Sequence, residues 1–378
     1  MNLAYLDLRH QIPRFVATAV GLGLLFAVVL AMGGIYRGMV EDAVLLVDRT
    51  GADLWVVQRG TQGPFAERST VPAALEDRAR AVPGVRWARP FSTFTTQVAH
   101  EGRTLRVTLV GLGWPDDRGA HLPLARGRSI ETSRGELIVD RTLGLPLGAE
   151  LALGDETYRV VGIGSGLLAS GGDALGFVTH ADLLRIQQWL APEALRAARL
   201  DPAAPPPQLT PQAIAIAVVP GHPRDRVKQH VAEWTDVAVF SSDEQRAFLL
   251  EGVVDKARRQ IGLFRALLAI VSGIVVSLVV FNMTVAKSRE IALLKLMGAR
   301  SSLVVGMIVQ QSLLLSVLAY GVAFGLSLVA FPMFPRRVVV GPEELFGVFA
   351  LAVAIALVAS LAAVRRALKI PATTILSG

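Results

Sequence analysis

Cysteine is absent from this sequence of 378 residues, and so are the short motifs that mark common nucleotide-binding and catalytic sites. Without cysteine the chain has no disulfide bond, no thiol nucleophile and no thiolate metal site. It also lacks GxxxxGKS and GxxxxGKT, so it has no phosphate-binding loop of its own, and it lacks HExxH, GxSxG and a complete GxGxxG. We therefore expect a chain that is not an enzyme, that binds no metal or cofactor itself, and whose domains are stabilised by packing.

Long uncharged runs are the main feature of the composition. The chain is 52% hydrophobic, with a mean hydropathy of +0.48, which is too apolar for a soluble protein of this size. A transmembrane helix needs about 20 mostly apolar residues. Four runs are long enough: 15–35, 266–286, 301–335 and 345–364. The first could instead be a cleaved signal peptide, but its apolar run is longer than about 15 residues and three spans follow, so we interpret it as an uncleaved anchor.

The positive charge is concentrated beside the ends of these spans. Segments 1–14, 287–300 and 365–378 contain nine basic and two acidic residues, which accounts for the whole formal net charge of +7. Lys and Arg near span ends are retained on the cytoplasmic side, so both termini are predicted to be cytoplasmic and residues 38–260 extracytoplasmic. The pI of about 10.2 therefore reflects membrane topology, and no nucleic-acid partner is expected.

The remaining residues, 38–260, have the pattern of an α+β domain. A strand, helix and strand are predicted at 52–57, 72–81 and 85–94, and the same order recurs at 214–219, 223–234 and 237–240. Between these units lie a hairpin at 98–111 and an inserted lobe at about 112–212, which ends in a proline-rich linker at 201–207. Residues 36–47 and 243–260 continue the helical periodicity of the neighbouring spans and are predicted to be stalks.

The fold class is therefore a membrane α-helical protein with four transmembrane helices and a large α+β extracytoplasmic domain between helices 1 and 2. The predicted segments are a cytoplasmic N-terminus 1–14, helix 1 at 15–37, the domain 38–260, helix 2 at 261–286, a cytoplasmic helix at 287–300, helix 3 at 301–332, an outer loop 333–344, helix 4 at 345–364 and a cytoplasmic tail 365–378.

The loop between spans two and three is the most informative short segment. Its residues from Lys287 to Met297 favour a helix, with Gly298 placed as a C-terminal cap. We predict that Ile291, Leu294 and Met297 share one face. The charged residues Lys287, Glu290 and Lys295 lie roughly opposite. A basic helix that lies on anionic lipid is the alternative interpretation.

This loop resembles the signature of the FtsX-like permeases, the family of MacB, LolC and LolE. The matching residues are Arg289, Glu290, Ile291, Ala292, Leu294, Lys295, Gly298 and Ala299. A second resemblance, to the MacB-type periplasmic domain, is carried by 124–128, 136–140, 147–148 and 158–162, and the tail 370–376 is similar to the end of the family pattern.

The resemblance implies a permease subunit of a type VII ABC transporter. Members transmit the energy of ATP hydrolysis to an extracytoplasmic domain with Porter and Sabre subdomains. On this basis Arg289, Glu290, Ile291, Leu294, Lys295, Met297 and Gly298 would form the ATPase-coupling site. ATP and Mg²⁺ would be bound by a separate ATPase subunit, because only about 14 residues precede the first span, and the layout is closest to DevC and LolC/LolE.

The resemblance also implies a bacterial inner-membrane protein that pairs with a second permease, as an identical copy or a homologue. A periplasmic adaptor, an outer-membrane channel and membrane lipids are the further expected partners, and the expected role is export or extraction of a lipid-like or amphipathic substrate. The alternative is a membrane-anchored regulatory or signalling protein whose outer domain binds a partner. Small residues at helix-packing spacing, Gly34 with Gly38 and Gly321 with Gly325, are candidates for helix packing between the copies.

Overall fold

The computed structural model describes residues 12–169, 171–191, 210–251, 255–297, 300–334 and 337–368. It separates into two compact units, here called the membrane unit, Met1–Gly38 with Lys256–Gly378, and the large domain, Met39–Asp255. The predicted linker 201–207, the N-terminal residues 1–11 and the tail 370–376 lie outside the described residues.

Nine helices are described. They are α1 (Ile12–Thr50), α2 (Leu75–Arg80), α3 (His180–Trp189), α4 (Arg224–Ala232), α5 (Ser242–Leu249), α6 (Asp255–Ala286), α7 (Ser288–Leu296), α8 (Ser301–Ala330) and α9 (Pro342–Leu368). Two short 3₁₀ turns are formed by Arg141–Leu143 and Phe331–Met333.

Eleven strands are described, all in the large domain. They are β1 (Leu54–Gln58), β2 (Val85–Phe91), β3 (Thr93–His100), β4 (Arg103–Leu112), β5 (Leu124–Gly127), β6 (Glu136–Asp140), β7 (Glu150–Leu153), β8 (Glu156–Gly164), β9 (Ala174–Thr179), β10 (Ala213–Val218) and β11 (Val237–Ser241).

The membrane unit contains the four predicted spans. Four helical segments are long and apolar enough to cross a membrane: Phe15–Thr50, Arg258–Ala286, Ser302–Met333 and Pro342–Arg365. Their shared core is built from fully buried side chains such as Phe26, Leu30 and Val276. Span 1 is the most buried by protein, with 50% of its apolar stretch buried, and span 2 is the least, with 17%. The opposite faces expose large apolar side chains such as Ile270 and Ile274, as helices that contact lipid do.

One sheet of the large domain has four antiparallel strands in the order β11-β1-β10-β2. Two strand-helix-strand units therefore interleave, with β1 and β10 in the centre, as in a split βαβ fold. Helices α2 and α4 cover one face, where Leu75, Val227 and Val231 join the buried cluster. Both faces of β1 are covered, which explains why Leu54–Val57 are buried in succession.

The second sheet contains the seven strands between β2 and β10. It runs in the order β3-β4-β9-β6-β8-β5, and β7 pairs with β8. Helix α3 packs on one face through Leu183 and Ile186, and the other face shares a core with the first sheet around Trp55 and Phe177. The hairpin predicted around Glu101 is confirmed, since Glu101 and Gly102 have φ of 48° and 76°, which suits a two-residue type I′ turn.

The α+β prediction for the large domain is confirmed, but the start of the inserted lobe is corrected. We predicted that the insert begins at about 112, which would leave the β3-β4 hairpin with the first sheet. In the structure β4 pairs in parallel with β9, so β3 and β4 belong to the second sheet and the insert begins after Phe91. That pairing joins segments more than sixty residues apart, and local periodicity contains no information about it.

Candidate functional site

The loop helix α7 follows span 2 after a turn at Lys287 and is held against the membrane unit by one side. The Ile291 N–H donates to the Lys287 carbonyl at 2.9 Å, which carries the chain from the turn into the helix. Lys287, Ile291 and Ala292 are 7%, 6% and 0% exposed, and Ile291 belongs to the buried core of the four spans. These residues therefore hold the helix in place.

The opposite side of α7 is exposed and combines apolar and charged side chains. Leu293, Leu296 and Met297 are 48%, 55% and 75% exposed, and Arg289 and Glu290 are also exposed. Large apolar groups at the end of a membrane unit, beside charges of both signs, form a surface suited to docking another protein. We call these five residues the α7 surface.

The prediction that Ile291 and Met297 share a face is wrong. Six residues at about 100° each leave the two side chains roughly 120° apart around the helix axis, so Met297 is turned away from the side that buries Ile291. Leu293, which lies at the centre of the α7 surface, was not among the predicted coupling residues. Its signal would have been its position two residues after Ile291: about 200° further around the helix, it faces away when Ile291 is buried. Leu294 and Lys295 lie within α7, and Gly298 lies outside the described residues.

The two predicted glycine pairs have different surroundings. A Cβ on Gly34 would come within 2.5 Å of Val338, and one on Gly38 would overlap the Arg337 carbonyl oxygen, so this pair packs against its own chain. Gly23, which was not among the predicted packing residues, marks a close approach of spans 1 and 3: a Cβ there would lie 2.7 Å from Val322 of span 3.

The second pair is open. Nothing lies within 4 Å of a Cβ built on Gly321 or Gly325 among the described residues. Within the described part of the chain, the space beside these two glycines of span 3 is therefore unfilled. Their role in pairing two chains stays a prediction.

The large domain brings its first and last segments together. The Ser242 hydroxyl donates to the Ala52 carbonyl oxygen at 2.5 Å and accepts from Trp55 Nε1 at 2.9 Å. The Ser241 side chain and Glu244 form a capping box that fixes the start of α5 beside this contact. The end of α1 and the start of α5 are thereby joined within one domain.

The described residues contain no group of three or more His, Asp or Glu placed to hold a metal ion. A serine and a histidine do meet in the large domain, with Ser92 Oγ 3.0 Å from His180 Nε2. Ser92 is fully buried, and burial lowers the pKa of His180 to about 4. His180 is partly buried, and the pair links the start of the second sheet to α3.

Comparison with known proteins gives two family matches that together cover most of the chain. The model of the MacB-like periplasmic core domain matches residues 15–233, and that of the FtsX-like permease C-terminal region matches residues 262–372. An uncharacterized ABC transporter permease of Mycobacterium tuberculosis is 29% identical over 367 residues, which cover 96% of this chain and 95% of the relative. A second permease of that organism is 26% identical over 365 residues, with the same coverage.

Solved structures also resemble part of the chain. The periplasmic region of MacB from Actinobacillus actinomycetemcomitans aligns with 51% of this chain and 90% of its own length, at 11% identity and a TM-score of 0.36. The extracellular domain of the noncanonic ABC-type transporter YknZ aligns with 50% and 98%, at 12% identity and a TM-score of 0.32. From the two family matches, with the four apolar helices and the α+β domain between the first two, it follows that the chain belongs to the FtsX-like, MacB-type family of ABC transporter permeases.

Proposed function

We propose that this permease receives the energy of ATP hydrolysis from a separate ATPase subunit and transmits it as movement to the large domain. The observation that carries the proposal is the α7 surface, where Leu293, Leu296 and Met297 are exposed beside Arg289 and Glu290. An ATPase groove would cover the apolar groups and pair with the charges. The chain itself supplies no nucleotide site and acts as a non-catalytic subunit.

The proposed orientation places α7 and both termini in the cytoplasm. Nine basic residues against two acidic ones in the segments 1–14, 287–300 and 365–378 support it, because Lys and Arg near span ends are retained on that side. The large domain then lies outside the inner membrane. A continuous helix from Ile12 to Thr50 contains span 1 and the first stalk, and it would carry movement outward.

A second permease is part of the proposal. The open glycines Gly321 and Gly325 lie on span 3 beside exposed Leu318 and Leu328, a combination that lets a neighbouring helix approach closely. The proposed substrate class is a lipid-like or amphipathic molecule, delivered through a periplasmic adaptor and an outer-membrane channel; this part rests on the family resemblance alone.

The test uses the full chain in lipid nanodiscs with its candidate ATPase, a small protein with Walker motifs. Wild-type permease is expected to co-purify with the ATPase and to change its turnover. Leu293→Asp is expected to abolish both effects, because a dry contact that buries an unpaired carboxylate is destabilised by roughly 3 kcal/mol or more.

Leu293→Met is the matched control, because it keeps an apolar side chain of similar volume at the same position, and it should behave as wild type. If Leu293→Asp still stimulates the ATPase, α7 lies on lipid instead. If the wild-type chain neither binds the ATPase nor alters its turnover, the chain is not an energy-transmitting permease and a regulatory role becomes the better explanation.

A further inference from the structure

The last turns of span 1 pack against an extended segment of the same chain. Residues 337–340, which precede span 4, run along Gly34 and Gly38. The Val339 N–H donates to the Gly34 carbonyl oxygen at 3.0 Å. Any side chain at Gly34 or Gly38 would meet Val338 or the Arg337 backbone, so both positions need glycine for this contact.

An ion pair also joins the end of span 1 to the start of α9. Arg37, between the two glycines, places Nη1 2.9 Å from Glu344 Oε2 and 3.8 Å from Glu343 Oε2. The same Glu344 oxygen accepts from the Gly341 N–H at 2.9 Å, which caps the start of α9. The Glu344 side chain is only 17% exposed, so this charge is far better shielded than a surface carboxylate.

We propose that Gly34, Gly38, Arg37 and Glu344 form a latch that fixes the end of span 1 to the start of span 4 throughout the transport cycle. Spans 3 and 4 already pack along their lengths, with the Ser312 hydroxyl donating to the Ala356 carbonyl oxygen at 2.8 Å. Spans 1, 3 and 4 would therefore move together. Span 2 is the least buried of the four, at 17%, and the latch does not include it.

The latch would couple the other spans to α1. This helix continues past the latch to Thr50 and thereby enters the large domain. Movement of spans 3 and 4 would reach the first stalk directly through the latch, and would not depend on the packing of span 1 alone. This inference rests on the proposed function for its meaning, but the contact itself can be tested separately.

The first experiment tests the contact. Because the chain has no cysteine, Val339→Cys introduces a single thiol whose rate of labelling by a maleimide reports release of the segment. Gly38→Val should raise that labelling rate about tenfold in nanodiscs, because the valine side chain would overlap the Arg337 backbone and displace the segment. Gly21→Val is the matched control on the same helix, since a Cβ there meets nothing within 4 Å, and it should leave the rate unchanged. Equal rates in the two variants would overturn the latch.

The second experiment tests its role in the assembly with the ATPase. A spin-label pair on the large domains of the two copies reports movement, and ATP turnover is measured in the same sample. Arg37→Gln and Glu344→Gln should retain turnover and lose the nucleotide-dependent distance change. If wild type moves and both variants move equally, the latch is wrong and the proposed function stands. If wild type neither moves nor alters turnover, the proposed function fails by itself.

A third arm asks whether the latch opens. Arg37→Cys with Glu344→Cys, joined by a short bis-maleimide, should move as wild type does, because a fixed joint tolerates a covalent bond. Loss of movement on cross-linking, with full movement restored when the linker is omitted, would show that the contact must open and would overturn a permanent latch.

Discussion

Arg246 and Asp48 join two helices of the large domain that are almost two hundred residues apart in the chain. Arg246 Nε lies 2.7 Å from Asp48 Oδ1, and Nη2 lies 2.6 Å from the same oxygen. Asp48 is in the last turn of α1, and Arg246 is on α5, which precedes the region leading to span 2. The pair therefore ties together the two segments through which the large domain connects to the membrane unit.

The first prediction concerns the energy of this pair. Both side chains are partly exposed, at 39% and 45%, so Asp48→Asn and Arg246→Gln should show a coupling energy of about 0.5 kcal/mol in a double-mutant cycle. The measurement is thermal unfolding of the full chain in detergent. A coupling energy above about 2 kcal/mol would contradict the view that packing of Leu45 and Leu46 against the domain core is the main attachment of this helix.

The second prediction separates the two sides of α7. Ile291→Asp should lower the yield of folded protein, because it places a charge among the buried side chains of the four spans. Leu293→Asp should fold like wild type, since Leu293 is 48% exposed. Monodispersity by size-exclusion chromatography and the melting temperature measure the difference. Equal losses for both variants would mean that α7 is buried on both sides.

The third prediction is an acid-dependent loss of stability of the large domain. Burial lowers the pKa of His180 to about 4, whereas an unfolded histidine titrates near 6.5. Between these values the unfolded chain binds more protons than the folded chain, so stability falls as the pH drops from about 6.5 to 4, by about 3 kcal/mol in all. Melting curves across this range measure it.

The control for this effect is a pair of histidine variants. His180→Gln should flatten the dependence between pH 6.5 and 4, whereas His100→Gln, at the tip of the β3-β4 hairpin, should not. Below this range a second contribution begins. Burial opposes ionisation of Glu136, but hydrogen bonds from Arg128, Glu131 and Thr132 outweigh it and lower its pKa to about 2. Stability from Glu136 is thus present above pH 4.5 and is lost as the pH falls towards 2.

The fourth prediction compares two glycines with positive φ. Gly127 has φ of 87°, and a Cβ there would overlap the Val161 carbonyl oxygen, whereas Gly144 has φ of 70° and open space around it. Gly144→Ala should cost about 1 kcal/mol through backbone strain, and Gly127→Ala should cost at least 1 kcal/mol more, because the second sheet must shift. Thermal unfolding of the two variants tests this, and equal costs would mean that β5 moves away freely.

Local sequence patterns are enough to predict the four spans and the α+β class of the large domain, and the count of charges near the span ends predicts the orientation. Spans appear as uncharged runs because lipid cannot solvate charge, and strands and helices appear through their local periods of two and 3.6 residues. The residues of the FtsX-like signature likewise stand in one continuous stretch, 289–299, so a resemblance could be identified without knowing the fold.

Which side of each element is buried depends on how the elements pack together. Burial of Ile291 against the span core turned Leu293 and Met297 outward, and the parallel pairing of β4 with β9 moved the β3-β4 hairpin into the second sheet. Gly34 and Gly38 have the spacing of an interchain motif, yet residues 337–340 of the same chain occupy them. Contacts between distant segments depend on how elements pack in three dimensions. The spacing of residues along one helix does not show whether its neighbour is lipid, a second copy or another part of the same chain.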